Sequence, residues 1–149
     1  MRAVVQRCSE AYVDIDGKRV GQIDAGLLIL LGVEQGDTDK DLDYMVKKIV
    51  GLRVFDDADG KMNLCLEDVC GKALVVSQFT LLGDARKGRR PSYVEAAPPD
   101  IAENLYSRCC DELEKEGIIV ARGVFMADMQ VGLINDGPVT ILLDSRRRF

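Results

Sequence analysis

Apolar and polar positions divide the chain into strand-like stretches separated by two helix-like ones. Tyr12-Val13-Asp14-Ile15 alternates, Asp16-Gly17 is a two-residue hairpin signal, and Lys18 to Ile23 returns as the second strand. Leu27 to Val33 is apolar without interruption, which predicts a strand buried on both faces. Asp37-Thr38 then offers an N-cap, Leu42, Met45, Val46 and Ile49 follow at helical spacing, and Gly51 is the stop. Leu74-Val75-Val76 begins another strand that delivers Ser77 to Thr80 at its end. Pro98-Pro99 opens a second helix with Ile101, Leu105, Tyr106, Cys109 and Leu113 on one face and Gly117 as its stop. Ile118 to Ala121, Met129 to Ile134 and Val139 to Leu143 complete the strands, with Asn135-Asp136-Gly137-Pro138 a turn by composition. Many strands with two principal helices predict an α+β fold with mainly antiparallel pairing.

Composition narrows the class. The 149 residues fit one domain, 1–149, and the 47% hydrophobic and 30% charged content is that of a soluble globular chain. The longest apolar run, Leu27 to Leu31, is too short to span a bilayer, and the N-terminus lacks a signal-peptide core, so the expected location is the cytoplasm with no membrane partner. Five cysteines (Cys8, Cys65, Cys70, Cys109, Cys110) form no C-x-x-C pair and read as reduced thiols; only Cys8, beside Arg7, has a neighbour that would activate it. The cluster Asp56-Asp57-Ala58-Asp59-Gly60 lacks the terminal Glu of a calcium loop and reads as a plain turn.

The net charge of −5 is unevenly spread. Arg86-Lys87-Gly88-Arg89-Arg90 is a compact basic loop, read either as solvated or as a local phosphate contact on an acidic body. Arg146-Arg147-Arg148 near the end reads as a frayed, solvated tail.

Chemistry is constrained by an absence: the sequence contains no histidine. Ser-His-Asp and Cys-His hydrolases and His-ligated metal sites are excluded. Hydroxyls, amides, backbone dipoles or the substrate itself must act. In an alternating strand Ser77 and Phe79 point one way and Gln78 and Thr80 the other, so Gln78 and Thr80 share one face on which to bond one substrate, with strand-end N–H groups available to an oxyanion; the alternative is that these groups satisfy the backbone. Asn135 to Pro138 is either an ordinary hairpin turn or a rigid device in which Gly137-Pro138 is cis, at a cost of about 0.5–1 kcal/mol for an X-Pro bond. Gly137, without a Cβ, would permit close approach of a ligand.

At this point the chain resembles the D-aminoacyl-tRNA deacylases, also called D-tyrosyl-tRNA deacylases, over nearly its whole length. The likeness is carried by Met1-Arg2-Ala3-Val4-Val5-Gln6-Arg7, Leu30-Leu31-Gly32-Val33, Gly60-Lys61-Met62-Asn63, Val76-Ser77-Gln78-Phe79-Thr80-Leu81, Lys87-Gly88-Arg89-Arg90-Pro91, Ala127-Asp128-Met129-Gln130-Val131 and Asn135-Asp136-Gly137-Pro138-Val139-Thr140. The two core motifs, in this order and at this separation, are specific together.

The resemblance implies a barrel-like core and a homodimer with the active site at the subunit interface. It implies hydrolysis of the ester joining a D-amino acid, or glycine mischarged on alanine tRNA, to the 3′ acceptor end of tRNA. Gly137 and Pro138 would be cis, enter the partner's pocket and perform chiral selection. Ser77, Gln78, Phe79 and Thr80 would line that pocket, Arg7 would brace the arrangement, and Phe125 and Met129 would lie near the adenosine. Met126 departs from the pattern, since many relatives are expected to carry glycine there, and bears on the local backbone angle and the room beside the adenine. The 86–90 loop (Arg86, Lys87, Arg89, Arg90) is the candidate acceptor-stem contact.

Two mechanisms stand: Thr80 as nucleophile, or water activated by the neighbouring ribose hydroxyl with backbone N–H groups near Phe79 and Thr80 holding the oxyanion. The second needs no metal and no cofactor. A small-ester hydrolase, a silent RNA-binding module and a purely structural dimer are the competing readings.

Overall fold

The computed structural model describes residues 1–149. Its strands are β1 (Arg2–Ile15), β2 (Lys18–Ile23), β3 (Gly26–Gly32), β4 (Phe55–Asp56), β5 (Met62–Leu64), β6 (Lys72–Ser77), β7 (Ile119–Arg122) and β8 (Gln130–Asp144), with helices α1 (Asp39–Val50) and α2 (Pro99–Lys115) and a 3₁₀ turn at Phe79–Leu82. The main sheet runs β2-β1-β3-β6-β7, and β8 also pairs with β1. Every β1 partner is antiparallel, whereas β3–β6 and β6–β7 are parallel. The sheet curls until β2 backs onto β7, where Gly21 lies against the Arg122 carbonyl.

The local rules that set these elements are those of the sequence. Asp16 and Gly17 both take positive φ, 49° and 75°, as a two-residue turn between antiparallel strands requires. Helix α1 starts after Thr38, whose N–H and hydroxyl both reach the Asp41 carboxylate, and ends at Gly51. The continuous apolar run of β3 is explained by two cores. Leu27, Ile29 and Leu31 face α1 and α2 with Ala73 and Val75, while Leu28 faces the barrel interior with Leu74 and Val76. On α2, Cys110 is buried with Leu105, Tyr106, Cys109 and Leu113, but Ile101, expected on that face, is 47% exposed because it precedes the part of the helix that packs on the sheet.

Two further expectations change. Asn135 to Pro138 is not a hairpin turn: β8 passes through it, pairing with β1 on both sides. The tail is not frayed, because Arg146 and Arg148 pair with buried Glu34, Asp37 and Asp144. Cys8 fits the reading as a reduced core thiol and not the activation that Arg7 hinted at. Burial pushes its pKa up, and its Sγ donates to the Gly26 carbonyl at 3.5 Å. No helix is long and apolar enough to cross a membrane.

Candidate active site

Strand β6 stops at Ser77, and the chain turns immediately into the 3₁₀ turn. The turn packs against Gly32 of β3, where a Cβ would stand 2.6 Å from Leu82 Cδ2 and 2.8 Å from the Gln78 carbonyl oxygen, so only glycine leaves room for it. Because the strand ends, Gln78 and Thr80 do not share a strand face as the alternation implied. Ser77, Gln78 and Phe79 line a cavity of about 690 Å³, and Thr80 stands outside its lining.

The Gln78 N–H is bonded to the Leu31 carbonyl at 2.8 Å, but several other polar groups of this segment are unspent. The side chains of Ser77, Gln78 and Thr80 make no hydrogen bond within the chain, and neither do the backbone N–H groups of Phe79 and Thr80. Thus the reading in which these hydroxyls and amides merely satisfy the backbone fails. Phe79 is 55% exposed and meets Tyr93 edge-on, with centroids 5.1 Å apart.

The opposite wall comes from the segment after β7. Phe125 and Met129 both line the cavity with Val131 and Leu133, and Gln6, Ser77, Gln78 and Asp128 are its polar lining residues. A mostly apolar cleft of this size with a few polar groups suits a small-molecule-sized ligand group. Tyr106 of α2 holds this wall: its hydroxyl reaches the Val75 carbonyl at 3.0 Å and the Gly123 carbonyl at 3.3 Å, and its ring packs on Phe125. Met126 takes φ 61°, the left-handed conformation a glycine adopts freely, and exposes 77% of its surface at the cavity.

Arg7, Gly137 and Pro138 are not in the cavity of their own chain. Gln6 pairs with Thr140 and Cys8 with Asn135, so residues 136–139 loop out opposite Arg7 alone. Asn135 closes the base of this loop by donating to the Arg7 carbonyl (2.9 Å) and the Val139 carbonyl (3.0 Å). Arg7 fills it, donating from Nε to the Asp136 carbonyl (3.3 Å) and from Nη1 to the Val54 carbonyl (2.7 Å), with the Asp136 carboxylate 3.2 Å away. The Gly137–Pro138 bond is cis, and both residues are exposed. Exposed Ile134 and Leu142 flank the protrusion on the same strand.

In the basic loop, Asp84 and Ser92 exchange backbone hydrogen bonds and close residues 84–92 into a lobe. Arg86 is engaged with Asp84, from Nε and Nη2 at 2.8 Å each, and this bond holds the Asp84 carboxyl well below the usual range. Lys87, Arg89 and Arg90 are exposed and pair with no carboxylate.

Gln6 and Tyr106 are site residues that the sequence did not single out. Gln6 lines the cavity and also reaches Asn135 and Thr140 at 3.4 Å, so it links the cavity to the base of the protrusion. Its position beside Arg7 in an alternating strand was the available signal, since adjacent strand residues face opposite sides.

Comparison with known proteins places these features in context. A model of the family described as D-Tyr-tRNA(Tyr) deacylase matches residues 4–144. A D-aminoacyl-tRNA deacylase of Kosmotoga olearia is 60% identical over 149 residues, with the whole of both chains covered. One of Natranaerobius thermophilus is 55% identical over 150 residues, again across both entire chains. Among solved structures, the c-Myc DNA Unwinding Element Binding Protein matches with a TM-score of 0.92 at 41% identity, over 97% of this chain and 98% of that one.

Proposed function

The chain belongs to the D-Tyr-tRNA(Tyr) deacylase family and is a D-aminoacyl-tRNA deacylase, a hydrolase; on that premise we propose how its residues select and cleave the substrate. The observation that carries the reading is the pair of free N–H groups at Phe79 and Thr80, with the unbonded side chains of Ser77 and Gln78, at the rim of an apolar cavity. Residues 1–149 act as one deacylase domain in the cytoplasm, where charged tRNA is found.

The terminal adenine enters the cavity between Phe125 and Met129. The ester carbonyl then lies over the 3₁₀ turn, where the free N–H groups of Phe79 and Thr80 bond the oxygen as it becomes an oxyanion. Water attacks the carbonyl carbon, and the tetrahedral intermediate collapses with release of the ribose oxygen. The vicinal ribose hydroxyl orients the water and relays its proton to the leaving oxygen. This assignment suits a site with no histidine and a threonine outside the cavity lining.

Two copies of the chain form the complete site. The protrusion 136–139, braced by Arg7, is exposed and flanked by exposed Ile134 and Leu142, so it suits insertion into a partner's cavity. Backbone carbonyls at Gly137 and Pro138 then crowd the α-carbon of the substrate. Hydrogen fits on that side and an L side chain does not, so D-aminoacyl and glycyl esters pass, including glycine mischarged on alanine tRNA. Lys87, Arg89 and Arg90 contact the acceptor strand.

The mechanism is tested by single-turnover deacylation of D-tyrosyl-tRNA. Thr80→Ala is expected to leave most activity, and removal of the terminal 2′-hydroxyl is expected to abolish it. The opposite pattern would make Thr80 the nucleophile.

A further inference from the structure

The 3₁₀ turn that carries Phe79 and Thr80 is short and weakly self-supported. At its two ends the Leu81 N–H donates to the Gln78 carbonyl at 3.3 Å and the Gly83 N–H to the Thr80 carbonyl at 3.0 Å. A 3₁₀ turn has poorer hydrogen-bond geometry than an α-helix, so its position depends on contacts from outside, among them the packing on Gly32. The Leu81 carbonyl receives no backbone N–H; Arg2 Nη1 donates to it at 3.0 Å. The same guanidinium donates from Nε to Asp144 at 3.3 Å, and the Asp144 side chain is fully buried.

Asp144 is held from other sides as well. It accepts from the Arg146 N–H at 2.7 Å and from Arg148 Nε at 2.9 Å. Arg148 continues to Glu34, as does Arg146, which also reaches Asp37. Asp37 in turn holds the Met1 amino group at 2.7 Å. No buried side-chain nitrogen or oxygen in this cluster lacks a partner. One end of Arg2 is thus locked in a dense ionic anchor, and the other grips the turn.

We propose that Arg2 is a positioning residue for deacylation, fixing through the Leu81 carbonyl the turn whose N–H groups receive the oxyanion. The inference rests on the oxyanion reading given above. Arginine is required because two nitrogens of one planar fork serve two acceptors in different directions; a lysine ammonium is a single point of donation on a flexible stem. The KM is unaffected, because Arg2 does not line the substrate cavity.

The test compares Arg2→Lys with Arg148→Met, which takes a donor from the same Asp144 but leaves the bond to the turn. Each is measured for thermal unfolding, KM and single-turnover rate on D-tyrosyl-tRNA. Arg2→Lys is expected to slow the single turnover by about tenfold to a hundredfold, as displacement of a catalytic group does, with KM within about twofold. Arg148→Met is expected to lower the unfolding temperature at least as much without slowing the reaction. If Arg2→Lys does not fold, Arg2→Met, which keeps the apolar stem, takes its place. Equal rates for wild type and Arg2→Lys, or equal slowing by both variants, would overturn the proposal. The outcome is separable from failure of the mechanism given above: loss of activity in Thr80→Ala would make the Thr80 hydroxyl the nucleophile, whereas failure for Arg2 is an unchanged rate in Arg2→Lys.

Discussion

The Arg7 guanidinium lies against the main chain of Asp136, its Nε donating to the Asp136 carbonyl at 3.3 Å from inside the loop that β8 throws out opposite it. A nearly buried arginine thereby spends its donors on carbonyls of Asp136 and Val54 and holds an exposed backbone segment at a set height. The protrusion adds its own Asp136 carboxylate, 3.2 Å from the same Arg7 nitrogen.

Gly137→Ala tests this bracing. Gly137 has φ 112°, and an added Cβ would stand 2.8 Å from Arg7 Nη2 and 2.9 Å from Val139 Cγ2. The substitution is expected to destabilise the fold by about 1–3 kcal/mol, measured by urea denaturation. Deacylation should fall further than that loss explains. Mixed dimers with a cavity-defective Gln78→Ala subunit should recover activity, because one of their two sites pairs an intact cavity with an intact protrusion. Activity no higher than in either parent would separate the protrusion from the partner's site.

Salt dependence tests the basic lobe. Arg89→Glu and Arg90→Glu together should weaken tRNA binding and flatten log K against log salt, by a slope of about 0.7–0.9 for each phosphate that is no longer neutralised. Arg86→Gln should change the slope less, since Arg86 is already occupied by Asp84. An unchanged slope in the double variant would make the lobe a solvated loop.

Acid stability tests the ionic anchor. Burial alone would raise the Asp144 carboxyl, but the Arg146 N–H and the Arg148 guanidinium outweigh it and hold it below the usual range. Glu34 is likewise pushed up by burial and drawn lower overall by Arg148 and Arg146. With folded values below the unfolded ones, the unfolded chain binds protons first as pH falls. The stabilisation is therefore complete above about pH 4.5 and lost as pH drops through the folded values. The unfolding temperature of wild type should fall steeply below about pH 4. Asp144→Asn should start lower by about 3–5 kcal/mol at neutral pH, as when one partner of a buried ion pair is removed, and show a shallower acid limb. Parallel curves for the two proteins would contradict the assignment.

How much of this was legible in the sequence depends on the range of the interaction. Thr38, Gly51 and the Asp16-Gly17 pair act on their immediate neighbours, and the elements they bound lie where the pattern placed them. The Asn135 to Pro138 segment also uses turn residues, but whether the chain reverses there is decided by β1, which pairs with both flanks. The end of β6 at Ser77 was hidden for a similar reason, since the 3₁₀ turn depends on the space left by Gly32. The tail arginines looked solvated because their carboxylate at Glu34 is 112 residues or more away in the chain. Arg2 and Tyr106 act on main-chain carbonyls, and such acceptors leave no trace in composition.

The most direct measurement is the rate of deacylation of D-tyrosyl-, glycyl- and L-tyrosyl-tRNA by the purified protein under identical conditions. Cleavage of the first two with the third left intact is expected from a backbone wedge that admits only hydrogen on one side of the α-carbon. Release of L-tyrosine at a rate comparable to D-tyrosine would contradict it.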